Sequence, residues 1–361
     1  MSNDSTKKEA PTGLQSLIKI VQFIVFLIIQ IPLLPLAIIG FVIAAVKEFL
    51  YSRKLGMSAT AIEPLNVRWG LHYFRSREDK WLVKLIKALP TSSHYGLLCF
   101  YGAAIIANRI CGYTPKLVTI PAPGKETLST FVNSRTAFFD RIMEKNVTQM
   151  DQVVFMGAGF DTRAFKYCKG KNVKVFELDQ ENTQKYKIEA LKKVGIDYDW
   201  IIFVPIDFRQ ESWVDKLMEN GFDTSKKTFF LWEGVTVYLE EESVKQTLKA
   251  VANSSGKGSV IAFDFYSKAF ITGEESFLMK YGSKTLKITG ETWKFGIDTT
   301  KNPRENVEIL LREAGLTLGE FSLLGKTTEK VKPFGGLVEA VKMQISPMPS
   351  TIQGEVEGRE S

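Results

Sequence analysis

The chain of 361 residues is poor in the residue types that most often carry metal and nucleophile chemistry. It has two histidines, His72 and His94, and three cysteines, Cys99, Cys111 and Cys168. The cysteines form no CxxC pair and show no metal-ligand spacing, which argues against a zinc site. So few histidines also argue against a histidine-based triad. The cysteine usage fits a reducing compartment. No GxxxxGK followed by Ser or Thr occurs, so no phosphate loop for ATP is present. No internal repeat and no nucleic-acid motif is evident.

One stretch lacks charge altogether. Ile20 to Val46 runs twenty-seven residues between Lys19 and the pair Lys47-Glu48. At ~1.5 Å per residue such a helix exceeds a ~30 Å hydrocarbon core. The run is too long for the apolar part of a signal peptide, so it is expected to be retained as a membrane anchor. Pro32 and Pro35 fall at its middle. They allow either a kinked single span or a hairpin with the prolines at its bend. Charge beyond the anchor is lopsided. Residues 1–150 hold eighteen Lys and Arg against nine Asp and Glu, so of the chain's net +7 the first part carries +9 and the rest −2. A basic region beside an apolar span attracts anionic lipid headgroups. A slight excess of Lys and Arg after the span favours a cytosolic position for the remainder.

What the chain does have is a glycine turn in the right setting. Val153 to Met156 runs directly into Gly157-Ala158-Gly159, which reads as a buried parallel strand ending in a tight turn. A second apolar run, Val173 to Leu178, ends in Asp179. Strand, glycine turn, helix, strand and acid form the layout of a nucleotide-binding βαβ unit, the acid being placed to bond ribose hydroxyls. A third glycine, needed where a dinucleotide sits, would fall at 162, and the residue there is Thr162. NAD is therefore disfavoured, and S-adenosylmethionine, which has no pyrophosphate to cradle, is the alternative.

Five segments then occur in order: Ser134 to Asp140, Gly157 to Phe165, Val175 to Asp179, Pro205 to Phe208 and Glu233 to Leu239. Together, over roughly residues 125–343, they resemble the leucine carboxyl methyltransferase family of S-adenosylmethionine-dependent O-methyltransferases. Phe208 stands where that family usually has leucine, and the N-terminal third has little in common with the family's soluble members. The resemblance implies that Arg135 pairs with the methionine carboxylate of S-adenosyl-L-methionine, a task suited to the planar guanidinium fork. It also implies that Gly157 and Gly159 form the turn beneath the cofactor, that Asp179 takes the ribose hydroxyls, and that Asp207 and Phe208 hold the adenine. Asp161 and Arg163 are expected to brace the turn by a local ion pair. Glu233 and Tyr238 follow a strand on the ligand side of the sheet and are the candidates for catalysis or substrate orientation. Glu233 could alternatively cap the next helix.

The expected architecture is α/β: a doubly wound, mostly parallel, Rossmann-like sheet of seven strands with an N-terminal membrane helix or hairpin. Its terminal antiparallel pair (Thr317 to Leu324 and Gly336 to Met343) follows from the resemblance. The expected organisation is a polar tail (1–19), the anchor (20–46), a basic helical region (47–124), the methyltransferase domain (125–345) and a loose tail (346–361). The apolar segment Tyr95 to Ala107 is short for a span and is expected as a core or membrane-resting helix. The irregular stretch 266–302 is expected to carry a lid or substrate loop. Expected partners are membrane lipids and a small-molecule or protein acceptor bearing a carboxylate or hydroxyl, with no metal. A carboxylate acceptor is mildly favoured because it is ionised near neutral pH and needs no general base. A cofactor-binding membrane scaffold without catalysis and an NAD-dependent lipid reductase are the competing readings.

Overall fold

A computed structural model describes residues 13–56, 62–208, 211–273, 293–328 and 331–342. The expected N-terminal tail before Gly13, most of the expected lid and the tail after Lys342 lie outside these residues.

Seven strands form one sheet in the order β3-β2-β1-β4-β5-β7-β6. They are β1 (Gln152–Met156), β2 (Lys174–Asp179), β3 (Ile201–Pro205), β4 (Thr228–Trp232), β5 (Val260–Tyr266), β6 (Leu316–Leu324) and β7 (Gly335–Lys342). The first five are parallel, and β7 runs antiparallel to both β5 and β6, as the resemblance implied. The central strands β1 and β4 are apolar from their second residue on because both faces are covered, as a parallel sheet requires. One face, with Val153, Phe155, Phe229 and Leu231, packs on helices α4 (Lys80–Ala88), α6 (Phe131–Asn146) and α7 (Glu181–Lys193). The other face, with Val154, Met156, Phe230 and Trp232, packs on α8 (Trp213–Glu219), α9 (Glu241–Asn253) and α10 (Pro303–Glu313).

The strand order reverses at β1, which lies between β2 and β4. Ligands of open α/β sheets bind at such a point, outside the carboxyl ends of the strands. The expected helix after β1 is a correction: it is a single π-helical turn, Ala164–Cys168, not a full crossover helix. The Gly157–Thr162 turn and the Gly170 turn use most of the chain between Met156 and Lys174, leaving room for little more.

Ahead of the sheet come α1 (Gly13–Gln30), α2 (Leu34–Leu55), α3 (Glu63–Tyr73) and α5 (His94–Cys111). Gly13 to Lys19, expected as part of the tail, already belong to α1. The join between α1 and α2 is a kink. Ile31 N donates to Leu27 O as in a helix, then Leu33 N and Leu34 N make tighter bonds to Gln30 O and Ile31 O. Pro32 and Pro35 have no N–H to give, which is the usual cause of such a bend. Gln22 lies at Gly112, Phe26 packs with Ala104 and Ala107, Gly40 meets Gly96 and Cys99, and Lys47 Nζ donates to Ser92 O at 2.6 Å. Both helices therefore run antiparallel to α5, and of the two expected geometries the chain adopts the kinked helix; it does not double back at the prolines. Both are long and apolar enough to cross a membrane by length and composition, and α1 and α2 leave most of their apolar side chains exposed.

Candidate functional site

The turn after β1 is built from glycine because its backbone leaves the region open to other residues. Gly157 has φ +74° and Gly159 φ +47°. A Cβ on Gly157 would lie 2.6 Å from Val235 Cγ2, so the turns after β1 and β4 can touch only while that position is bare. Gly157 N and Ala158 N both donate to Leu178 O at 2.9 Å. Gly159 N donates to Asp179 Oδ2 at 2.6 Å, and Gln180 N to Asp179 Oδ1 at 2.7 Å. Burial raises the Asp179 pKa, and those two backbone donors partly offset the shift. Asp179 and the two glycines are half-buried, whereas the strands beneath them are fully enclosed.

Asp207 and Phe208 follow β3 on the same edge of the sheet. Asp207 is half-buried, with its backbone N–H on Glu211 Oε2 at 3.0 Å, and Phe208 rests against the core of the second face.

Arg135 projects from α6, whose inner turns are unusually polar yet buried: Asn133, Ser134, Arg135, Thr136 and Asp140. Its Nε lies 2.9 Å from Glu233 Oε1 and its Nη1 lies 3.1 Å from Asp264 Oδ2. Burial works against the guanidinium charge, yet Asp264 and Glu233 hold its pKa well above the usual value. Asp264 also accepts from Gly234 N at 2.6 Å and thereby ties β5 to the turn after β4.

Glu233 is gripped from three directions. Arg68 Nη2 reaches both of its oxygens at 2.8 Å, and Arg163 Nη1 reaches Oε2 at 2.5 Å, besides the Arg135 contact. Burial alone would raise its pKa, but Arg163, Arg68 and Arg135 hold it at about 2. The helical turn that follows, Thr236–Tyr238, has no side-chain cap, so Glu233 takes the network position and not the capping one. Tyr238 ends that turn, half-buried, within electrostatic reach of the Tyr266 phenol.

The expected brace is present: Arg163 donates from its backbone N to Asp161 Oδ1 at 2.7 Å and from Nη1 to Oδ2 at 2.5 Å. It is one link of a longer rail. Arg163 Nε holds Asp140 at 2.7 Å, Asp140 holds Arg77, and Arg77 holds Asp79. Asp79 accepts from the Thr162 hydroxyl at 2.7 Å and from Leu82 N at the start of α4. Thr162, the residue standing where a dinucleotide site would have glycine, is thus a buried tether.

Sequence reasoning missed Arg68, Arg77, Asp79 and Asp264 as members of the site. The first three lie in a charge-rich stretch that looks like solvated helix faces. Asp264 did leave a trace, as a lone acid inside the apolar strand Val260–Tyr266. His72 Nδ1 accepts from Asp79 N at 3.0 Å and His94 packs against Trp69. No cluster of metal-ligating side chains occurs among the described residues.

Residues 117–252 match the sequence model of the leucine carboxyl methyltransferase family, and that span contains Arg135, Gly157, Gly159, Asp179, Asp207 and Glu233. Over 191 residues the chain is 28% identical to YktD of Bacillus subtilis, provisionally named an S-adenosyl-L-methionine-dependent methyltransferase, covering 52% of this chain and 61% of that one. A Mycobacterium tuberculosis protein with the same provisional name is 32% identical over 175 residues, covering 47% of this chain and 55% of its own. Among solved structures, the mitomycin 7-O-methyltransferase MmcR overlaps 60% of this chain and 56% of its own with a TM-score of 0.39 and 12% identity. The matches cover about half the length of the curated relatives.

Proposed function

We propose that the chain is a membrane-anchored S-adenosylmethionine-dependent O-methyltransferase acting on a carboxylate or hydroxyl. The observation that carries this reading is the joining of the Gly157–Gly159 turn to the Asp179 carboxylate at the β1/β4 switch point, with Arg135 of α6 against Gly234 in the turn after β4, the turn that Gly157 touches at Val235. A bare turn, a half-exposed acid and an arginine suit the backbone approach, ribose and carboxylate of S-adenosylmethionine. Ser134 Oγ is buried with no hydrogen-bond partner, and Arg135 Nε has none of good geometry, so α6 has polar groups to offer a ligand. Asp207 and Phe208 take the adenine on the same edge.

The bound cofactor supplies a methyl group on a sulfonium, already activated for transfer. The protein's part is alignment and exclusion of water. An acceptor oxygen gives its lone pair to the methyl carbon while the carbon–sulfur bond breaks toward sulfur. With a carboxylate no proton has to leave. Glu233, held at about 2 by three arginines, is ionised at neutral pH but too weakly basic to take a hydroxyl proton, so its role is to position Arg135, Arg68 and Arg163. Tyr238 is placed to orient the acceptor. The weak basicity of Glu233 favours a carboxylate acceptor, which has no proton to lose.

The anchor is the kinked α1–α2 unit, supported by its charge-free length and exposed apolar surface. The basic residues after it favour a cytosolic catalytic domain touching anionic lipid. Calorimetric titration of the detergent-solubilised chain with S-adenosylhomocysteine, with NADH as comparison, tests the cofactor. Micromolar binding of the former alone is expected. Failure to bind it, in folded protein, would overturn the methyltransferase reading, whereas binding without methyl transfer to any acceptor would favour the cofactor-binding scaffold.

A further inference from the structure

The apolar helices are stacked on the ligand end of the sheet. Arg68 on α3 reaches down to Glu233 and Asp161, while the next two residues face the other way. Trp69 packs on Tyr101 of α5, and a Cβ on Gly70 would lie 3.1 Å from the Tyr101 ring. The far side of α5 carries α1 and α2. The C-terminal end of α2 returns to the site as well, where Gly56 faces Asn182, three residues beyond Asp179. Two helices, α3 and α5, therefore stand between the Gly157–Gly159 turn and the helices proposed to meet lipid.

An aromatic group flanks that layer at the end of β5. Tyr266, Phe270 and Trp293 lie nearly parallel, with centroids 5.1–6.0 Å apart, and Phe131 meets Tyr266 edge-on at 6.0 Å. Phe131 is one turn before Arg135, and Tyr266 is two residues past Asp264. Phe131, Tyr266 and Trp293 are only half-buried. Burial pushes the Tyr266 phenol pKa up, so it stays a neutral donor.

A strip of exposed apolar side chains connects the two regions. Ile106 and Ile110 on α5 are 55% and 66% exposed, and Leu117, Ile120 and Leu128 beyond it are 41%, 43% and 49% exposed. Asn133 Nδ2 donates to Leu117 O and Thr119 O, which pins this segment across the first turn of α6 beside Phe131. Exposed apolar residues scattered singly need no explanation, but five of them follow one chain path from α5 to the first turn of α6, and such a run suits a binding surface.

We propose that the methyl acceptor is a lipophilic molecule resident in the bilayer, its apolar tail lying along this strip and its reacting oxygen delivered beside Phe131, Tyr266 and Trp293. The proposal rests on the methyltransferase reading and specifies its substrate class. The strip starts on α5, which packs against α1 and α2, the helices proposed to meet lipid, and this selects such an occupant over a soluble peptide.

The test uses the full chain in phosphatidylcholine vesicles with two photoreactive carboxylic acids, one long-chain and one short and water-soluble. The long-chain probe is expected to label peptides containing Phe131, Tyr266 or Trp293 at least about tenfold more than the short one, since each buried methylene contributes roughly fourfold. The double variant Ile120→Asp, Leu128→Asp alters exposed positions only. It should cut that labelling about fivefold or more while leaving labelling of α1 and α2, and S-adenosylhomocysteine affinity, unchanged. Labelling confined to α1, α2 and α5, or equal labelling by the short acid, would overturn the lipid route. Loss of the cofactor reading would register separately, as absent S-adenosylhomocysteine binding.

Discussion

Arg68 Nη2 sits 2.8 Å from each oxygen of Glu233, although 165 residues separate them in sequence. One residue lies on α3, the helix that follows α2, and the other on the turn after β4. The same guanidinium meets Asp161 at 3.3 Å and the Thr136 hydroxyl at 3.1 Å, so it links three elements of the site. Replacing it by Met leaves Glu233 and Asp161 with fewer cations in a site where both are nearly enclosed. The expected loss is about 3–5 kcal/mol of folding stability, read by chemical denaturation in detergent. Arg68→Lys should recover part of it, since a point charge cannot span both oxygens. A loss below about 1 kcal/mol in Arg68→Met would show that Arg163 and Arg135 suffice.

Asp179→Ala should weaken S-adenosylhomocysteine binding by about 10–100-fold, the usual worth of one or two hydrogen bonds to a charged acceptor. The same change removes the bond to Gly159 N, so the turn loosens as well. Because burial raises the Asp179 pKa, affinity in the parent protein should begin to fall on acidification at a higher pH than an ordinary aspartate would give. Unchanged calorimetric affinity in the variant would remove Asp179 from the site.

Asp264→Asn tests a residue that only the structure brought forward. The amide keeps the shape but not the charge that faces Arg135, and it weakens the bond from Gly234 N. Cofactor affinity should fall by about tenfold or more through misplacement of Arg135, with a smaller effect on stability because Glu233 remains as counter-ion. The contrast with Asp179→Ala is that the Gly157–Gly159 turn should stay intact, as read by unchanged hydrogen exchange at Gly159.

What could be read from sequence was whatever depends on local pattern. The strand-turn-strand-acid unit places Gly157, Gly159 and Asp179 because the spacing is fixed by one βαβ crossover. The Asp161–Arg163 brace is two residues long and equally local. Arg68, Arg77 and Asp79 were illegible because their partners, Glu233, Asp140 and Thr162, lie far along the chain. Charged residues on a helix read as solvated until a fold supplies a countercharge. The kink at Pro32 and Pro35 was half-legible: proline announces a bend, but its angle is set by packing on α5.

Glu177 provides a pH-dependent test. It is buried in β2 with Lys187 Nζ at 2.6 Å, and burial lifts its pKa from 4.5 to about 7 despite that lysine. A carboxyl with a raised folded-state pKa stabilises most below its unfolded value, and the contribution is lost as pH rises through the folded value. Stability should therefore decline between about pH 4.5 and 7 by up to about 3 kcal/mol. Glu177→Gln should flatten that window in denaturation curves. A parent protein whose stability rises across the same window would show that Lys187 keeps Glu177 ionised.

Removing residues 1–46 tests how the proposed anchor is built. On sequence alone the deletion should free the chain from membranes. The structure argues for a different outcome, because α5 is the shared partner of α1 and α2. A Cβ on Gly40 would lie 2.6 Å from Gly96 O and Cys99 Cβ, so α2 and α5 approach as closely as small residues allow. Stripping α1 and most of α2 would expose that seam on α5, next to Ile106 and Ile110, which are already exposed. The truncated chain should still sediment with phosphatidylcholine vesicles, while the further change of Ile106 and Ile110 to Asp should release it. Cofactor affinity should survive both changes if Arg68 stays in place, since α3 begins at Glu63. Full release by truncation alone would confine the anchor to α1 and α2 and leave α5 as an ordinary packing helix.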